Sequence, residues 1–183
     1  MAITNISLVK PWDILLYKST GEGDTIGNLI GYFTRSKEKY AHAAQYFGNG
    51  IIFESHLETG TTEKELNPKW HPFIDVYRYT GILSVQDMVD LEKAYRADLG
   101  KPYALADFPA AFVHSVIAKI FHADKYRKKE PLLNNTQAFY CSEYVVTEWF
   151  KALAIRLNPT VGIGSTTPQN LSEYASILRL TSC

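Results

Sequence analysis

Two runs rich in apolar and aromatic residues, Ala41 to Phe47 and Ile51 to Ser55, meet at Gly48-Asn49-Gly50, residues that tolerate the positive φ a tight reversal needs. The pattern predicts an antiparallel hairpin. With all three residues in the loop, Phe47 pairs with Ile51 and paired numbers sum to 98, which sets His42 opposite His56 and Glu54 opposite Ala44. Side chains alternate along a strand, so His42, Glu54 and His56 then share one face, whereas a one-residue slip would part His42 from the other two. The diagonal from His42 to Glu54 is about 7–8 Å between backbones, within reach of a Glu side chain. A carboxylate so placed orients the imidazole and stabilises its protonated form. On the residues alone, either Glu54 or His56 can be the partner of His42.

The remaining elements run strands first and helices later. Asp13 to Tyr17 predicts a buried strand and Phe73 to Tyr79 another, by apolar, β-branched and aromatic content. Ile26, Leu29, Ile30 and Phe33 have helical spacing. Ser84 with Asp87 forms a capping-box pattern, followed by an apolar stripe of Val85, Met88, Val89, Leu91 and Tyr95 and a stop at Gly100. Cys141 to Leu153 reads as a helix with Val145, Trp149 and Ala152 inward, and Thr167-Pro168 as the start of a last helix through "TTPQNLSEYASIL". No repeat or linker divides the chain, so residues 1–183 are expected to form one α+β domain, as suits a length sufficient for one core.

Lys+Arg and Asp+Glu are both 19, which argues against an extended nucleic-acid footprint. Two cysteines, Cys141 and Cys183, are too few for a disulfide framework, so a reducing compartment is expected. The start "MAITNISLVKPWDILLY" lacks the features of a secretory signal, and the expected location is the cytoplasm or a larger assembly such as a virion. The apolar-leaning run from Tyr103 to Phe121 is interrupted by Asp107, Pro109, His114 and Lys119, so no integral membrane span is expected.

Cys141 stands at the expected start of its helix, where unpaired backbone N–H groups favour a thiolate. A Cys–His pair oriented by a third polar group is the general construction of an activated thiol, and the Cys141 N–H would be one donor to a developing oxyanion. Taken singly, a cysteine at a helix start or a histidine on a strand is more often structural. Their combination points to chemistry. His71, His114 and His122 have no partner pattern.

"HAAQYFGNGIIFE", with His42 and Glu54 twelve apart, "LGKPYALADF" around Tyr103, and "FYCSEYV" together resemble the permuted branch of the NlpC-type papain-like amidases and peptidases, which includes YiiX-type amidases and the lecithin:retinol acyltransferases. The similarity runs from Asp13 to about Pro168. It implies a circularly permuted papain-like α+β fold, a small antiparallel sheet packed on helices with the nucleophile at a helix N-terminus. It further implies Cys141 as nucleophile, His42 as general base and acid, Glu54 as orienting member, and Tyr103 as a site-lining residue near the oxyanion; His56, placed on the same face by the hairpin, is expected to line the site as well. No metal or cofactor is implied. The expected activity is amide hydrolysis through a thioester, with a peptidoglycan stem peptide as first substrate and a lipid amide or ester, by hydrolysis or acyl transfer, as second. The stretch at about 104–131, apolar and then basic at "KYRKK", departs from compact relatives and is expected to serve as a lid or as a docking surface for lipid or protein.

Two rival readings accompany this one. His42, Glu54 and His56 are a recognised type of zinc ligand set, though zinc would leave Cys141 without a role. The fold could also serve as a non-catalytic structural or binding module in a larger assembly.

Overall fold

The computed structural model describes residues 8–18, 40–67, 69, 73–104, 138–174 and 177–180. A six-stranded antiparallel sheet carries the fold, formed by β1 (Ile14–Lys18), β2 (Tyr40–Gly48), β3 (Ile51–His56), β4 (Gly60–Glu65), β5 (Ile74–Tyr79) and β6 (Ile177–Leu180), in the order β4-β3-β2-β1-β5-β6. Among the described residues, three α-helices accompany it: α1 (Val85–Ala97), α2 (Cys141–Leu153) and the short α3 (Pro168–Ser172). The architecture is α+β. The helix expected around Ile26 to Phe33, the insert from residue 105 onward, His71, His114, His122 and Cys183 lie outside the described residues.

Register in the central hairpin follows the sum of 98 from Ala44–Glu54 to Tyr46–Ile52. The expected Phe47–Ile51 pair is corrected: Gly48 pairs with Ile51 and Phe47 is bulged out of the ladder. The loop is therefore two residues, Asn49 (φ 52°) and Gly50 (φ 79°), and positive φ at both matches the twist of a tight hairpin. The bulge lies next to the turn, and the ladder beyond it keeps the expected pairing as far as Ala44–Glu54. The expected His42–His56 pair is not part of that ladder, in which Ala44–Glu54 is the last pair, while His42 pairs with Tyr17 and His56 with Gly60 on their other sides.

Alternation sorts the sheet into two faces. Ile14, Leu16, Ala43, Phe53 and Tyr77 belong to a core with Leu91 and Tyr95 of α1 and Tyr144, Val145 and Trp149 of α2. Leu15, Ala44, Ile52, Ile74 and Val76 form a second cluster. Polar groups inside the first core are matched: the Gln45 amide donates to the Asp13 carbonyl, and its Oε1 accepts from Trp149 Nε1 (2.7 Å) and the Tyr95 hydroxyl (3.1 Å). Asp13, expected within the first strand, instead precedes it and is held by Arg78 through two hydrogen bonds of 2.7 Å.

α1 starts as its sequence predicts, with Ser84 and Asp87 in a reciprocal capping box. α3 also begins as expected, with the Thr167 hydroxyl accepting from the Asn170 N–H and Pro168 in the first turn. It is shorter than its apolar pattern suggests. It ends at Ser172, and Ile177–Leu180 joins the sheet beside β5 as β6, where sheet pairing overrides helical spacing.

The 98–101 loop links three elements. Thr61 of β4 donates its N–H to the Lys101 carbonyl and its hydroxyl to the Asp98 carbonyl, and its own carbonyl and hydroxyl accept the N–H groups of Gly100 and Lys101. Lys151 of α2 ion-pairs with Asp98 and Glu148. Fully buried Glu148 is pushed up to about 8 by burial, against the pull of Lys151. Gly60 permits the close approach. Its φ is +67°, and a Cβ there would collide with the Lys101 carbonyl. Gly60→Ala is therefore expected to destabilise the fold by about 2 kcal/mol or more through combined clash and left-handed strain, measured as a lowered midpoint in urea.

Candidate active site

Local geometry presents Cys141. The first-turn N–H groups of α2 lack intrahelical acceptors, and Glu143 reaches back to accept from the Tyr140 N–H (3.4 Å). The helix is anchored just beyond, by Ser142 Oγ donating to the Thr166 carbonyl (2.6 Å) and the Tyr144 hydroxyl donating to the Tyr95 carbonyl (2.7 Å). The preceding residues are held too. Ser55 Oγ donates to the Phe139 carbonyl (2.6 Å), and Tyr103 forms an isolated parallel bridge with Phe139. Cys141 itself is a free, buried thiol, 3% exposed.

His42 lies at the end of β2 distant from the turn, and its Nε2 is hydrogen-bonded to Glu54 Oε2 at 3.0 Å. Of the two partners open to it, the imidazole takes Glu54. His56 is exposed, with its ring 6.4 Å from that of His42, and accepts the Glu58 N–H at Nδ1. The Cys141 thiol lies close enough to the same imidazole to act on its charge.

Electrostatics favour a charged imidazole. Burial works against it, but the Cys141 charge, with the Glu54 hydrogen bond and charge, outweighs burial and lifts His42 to about 10. Glu54, 2% exposed, is subject to the same contest. Burial raises it, but hydrogen bonds and charge from His42 and Lys64 bring it down to about 2. Because its folded value lies below the ordinary 4.5, Glu54 contributes stability that is present above pH 4.5 and is lost as pH falls through about 2. Glu54→Gln is thus expected to flatten the acid side of the stability–pH curve in that window, read from urea midpoints between pH 2 and 6.

Two neighbours were not legible as site residues. Tyr17 of β1 is the cross-strand partner of His42, with ring centroids 5.2 Å apart in an edge-on contact. Burial first, and the Glu54 charge second, hold its phenol strongly in the neutral form. Lys64 of β4 ion-pairs with Glu54 Oε1, the oxygen His42 leaves free. Neither could be found from the sequence, since the β1–β2 register is not set by a short turn and "TTEKE" carries no strand pattern.

No protein-family model and no curated protein matches the chain. Among solved structures, the metalloprotein YiiX from Escherichia coli O157:H7 is similar, with a TM-score of 0.59 over 94% of this chain and 96% of that one at 18% identity. The likeness is one of fold. Among the described residues, no group of three His, Cys, Asp or Glu side chains is arranged to hold a metal ion. The zinc set His42, Glu54 and His56 is not assembled: His42 Nε2 and Glu54 Oε2 bond each other, Lys64 occupies Glu54 Oε1, and His56 turns to Glu58. No described helix is long and apolar enough to cross a membrane.

Proposed function

We propose that the protein is a cysteine hydrolase of amide bonds, of the permuted NlpC-type papain-like kind, with Cys141 as nucleophile, His42 as general base and acid, and Glu54 as the orienting carboxylate. The observation that carries this reading is one imidazole hydrogen-bonded to a buried carboxylate and lying beside a buried thiol at a helix N-terminus.

The chemistry follows from that chain. The Cys141 thiolate attacks the carbonyl carbon and forms a C–S bond, and the developing oxyanion faces the Cys141 N–H. Protonated His42 gives a proton to the leaving nitrogen as the C–N bond breaks, which releases the amine and leaves a thioester. Water then enters. Neutral His42 takes its proton, hydroxide adds to the thioester carbon, and the C–S bond breaks to return the thiolate with the free acid. Glu54 stays ionised throughout and holds the ring in register. Tyr103, bridged to Phe139 two residues before the nucleophile, lines the approach.

A peptidoglycan stem peptide is the first substrate class, by resemblance to the permuted relatives. The test is incubation of the protein with muropeptides, followed by mass spectrometry of both products and protein. New amine and carboxylate termini, with a transient acyl adduct on Cys141, are expected. Turnover without an adduct, or turnover that survives loss of Cys141, would contradict the mechanism.

A further inference from the structure

Lys64 sits at the far end of the chain that begins at the thiol. Its Nζ contacts Glu54 Oε1, while Glu54 Oε2 bonds His42 Nε2 at 3.0 Å and His42 in turn lies beside Cys141. Glu54 is thus a buried carboxylate shared between two cations on opposite oxygens, one of them, Lys64, with its side chain 49% exposed. We infer that Lys64 is a positioning residue that sets the pH range over which the Cys141–His42 pair is charged. This rests on the hydrolase reading above and concerns the regulation of the same site.

The physical reason is that a fixed positive charge opposes every nearby proton. It lowers the pH at which Glu54 ionises and repels the proton on His42. Its contact also fixes the rotation of the Glu54 carboxylate, so that Oε2 stays aimed at the imidazole. The titratable groups around the pair among the described residues are Tyr17 from β1, Glu54 and His56 from β3, Lys64 from β4, and Cys141 itself with its buried neighbours Tyr140 and Glu143, whose carboxylate accepts the Tyr140 N–H, at the start of α2. Tyr17 stays neutral and Glu54 stays ionised across the working range, which leaves Lys64 as the fixed cation next to the chain. Its half-exposed position makes the influence sensitive to salt.

A charge effect and a packing effect leave different traces. Removing a cation moves both macroscopic inflections of the coupled thiol–imidazole pair upward together, whereas mere loosening lowers reactivity without moving them in concert. The experiment is the pH dependence of Cys141 alkylation by iodoacetamide in Lys64→Met, Lys64→Arg and the unsubstituted residue, all in a Cys183→Ser, His56→Asn background. In Lys64→Met both inflections are expected to rise by about half a unit at low salt, with the shift shrinking in 1 M salt. Lys64→Arg is expected to restore the original values. Activated Cys141 with inflections unmoved in Lys64→Met, or moved equally by Lys64→Arg, overturns the role of Lys64 alone. A Cys141 that reacts as an ordinary thiol with Lys64 present overturns the hydrolase reading, and the role of Lys64 with it.

Discussion

Cys141→Ala is expected to lower kcat for amide hydrolysis by at least about a thousandfold, because the bond that carries the acyl group no longer has an atom to form on. The fold should barely notice. Cys141 occupies the first turn of α2, and that turn is held by hydrogen bonds from Ser142, Glu143 and Tyr144 rather than by the thiol. Deleting one buried sulfur costs about 1 kcal/mol, a small part of the stability of a domain of this size. The variant also removes the negative partner that holds His42 protonated, so the imidazole should titrate at lower pH than before. The check is paired: product formation by mass spectrometry and a thermal melt of the same preparation. Undiminished turnover in a folded Cys141→Ala protein would assign the chemistry elsewhere.

The largest effect on stability is expected at Trp149. Its side chain is fully buried between sheet and helices, its ring lies 5.2 Å from that of Tyr79, and its Nε1 donates to Gln45 Oε1 at 2.7 Å. Trp149→Ala should cost about 3–5 kcal/mol, since the transfer energy of the indole is lost and the surrounding rigid sheet cannot close the cavity. Trp149→Phe should cost about 1–2 kcal/mol, because most of the volume remains and Gln45 Oε1 keeps the Tyr95 hydroxyl as a donor. Urea denaturation of the two variants separates the terms. Equal losses would mean that the hydrogen bond, and not packing, carries the contribution of Trp149.

The parts of this protein that its sequence announces are those governed by local rules. The hairpin register from Ala44–Glu54 to Tyr46–Ile52 could be read because Gly48-Asn49-Gly50 marks the reversal, and although the loop is two residues rather than three, the bulge at Phe47 makes up the difference. α1 could be read because Ser84 and Asp87 cap each other three residues apart. Cys141 at the start of α2 was legible for a similar reason, since its helix has a strong apolar stripe. What was hidden depends on pairing between distant segments. β4 is written in Thr, Glu and Lys because it is an edge strand, and its partners decide its state. β6 follows a turn after α3 and joins β5, about a hundred residues earlier in the chain, so its local helical spacing misleads. Tyr17 and Lys64 meet the site only through those pairings, and no short-range pattern marks them. The bulge at Phe47 is a smaller case: the turn chemistry favoured two residues with positive φ, and the ladder absorbed the remaining one.

Fold likeness to YiiX and the placement of the three groups are independent observations, and the second bears on function. Such a scaffold can persist without chemistry, whereas a buried thiol beside an imidazole that a buried carboxylate holds is the arrangement on which the proposed function rests.

The most direct measurement is the rate of Cys141 alkylation by iodoacetamide from pH 4 to 10, in a Cys183→Ser background, with and without His42→Ala. Reactivity that sets in well below the ordinary thiol value of about 8.5, and that disappears with His42→Ala, is the predicted result. A Cys141 that titrates as an ordinary thiol whether or not His42 is present would contradict the activated pair, and with it the proposed hydrolase.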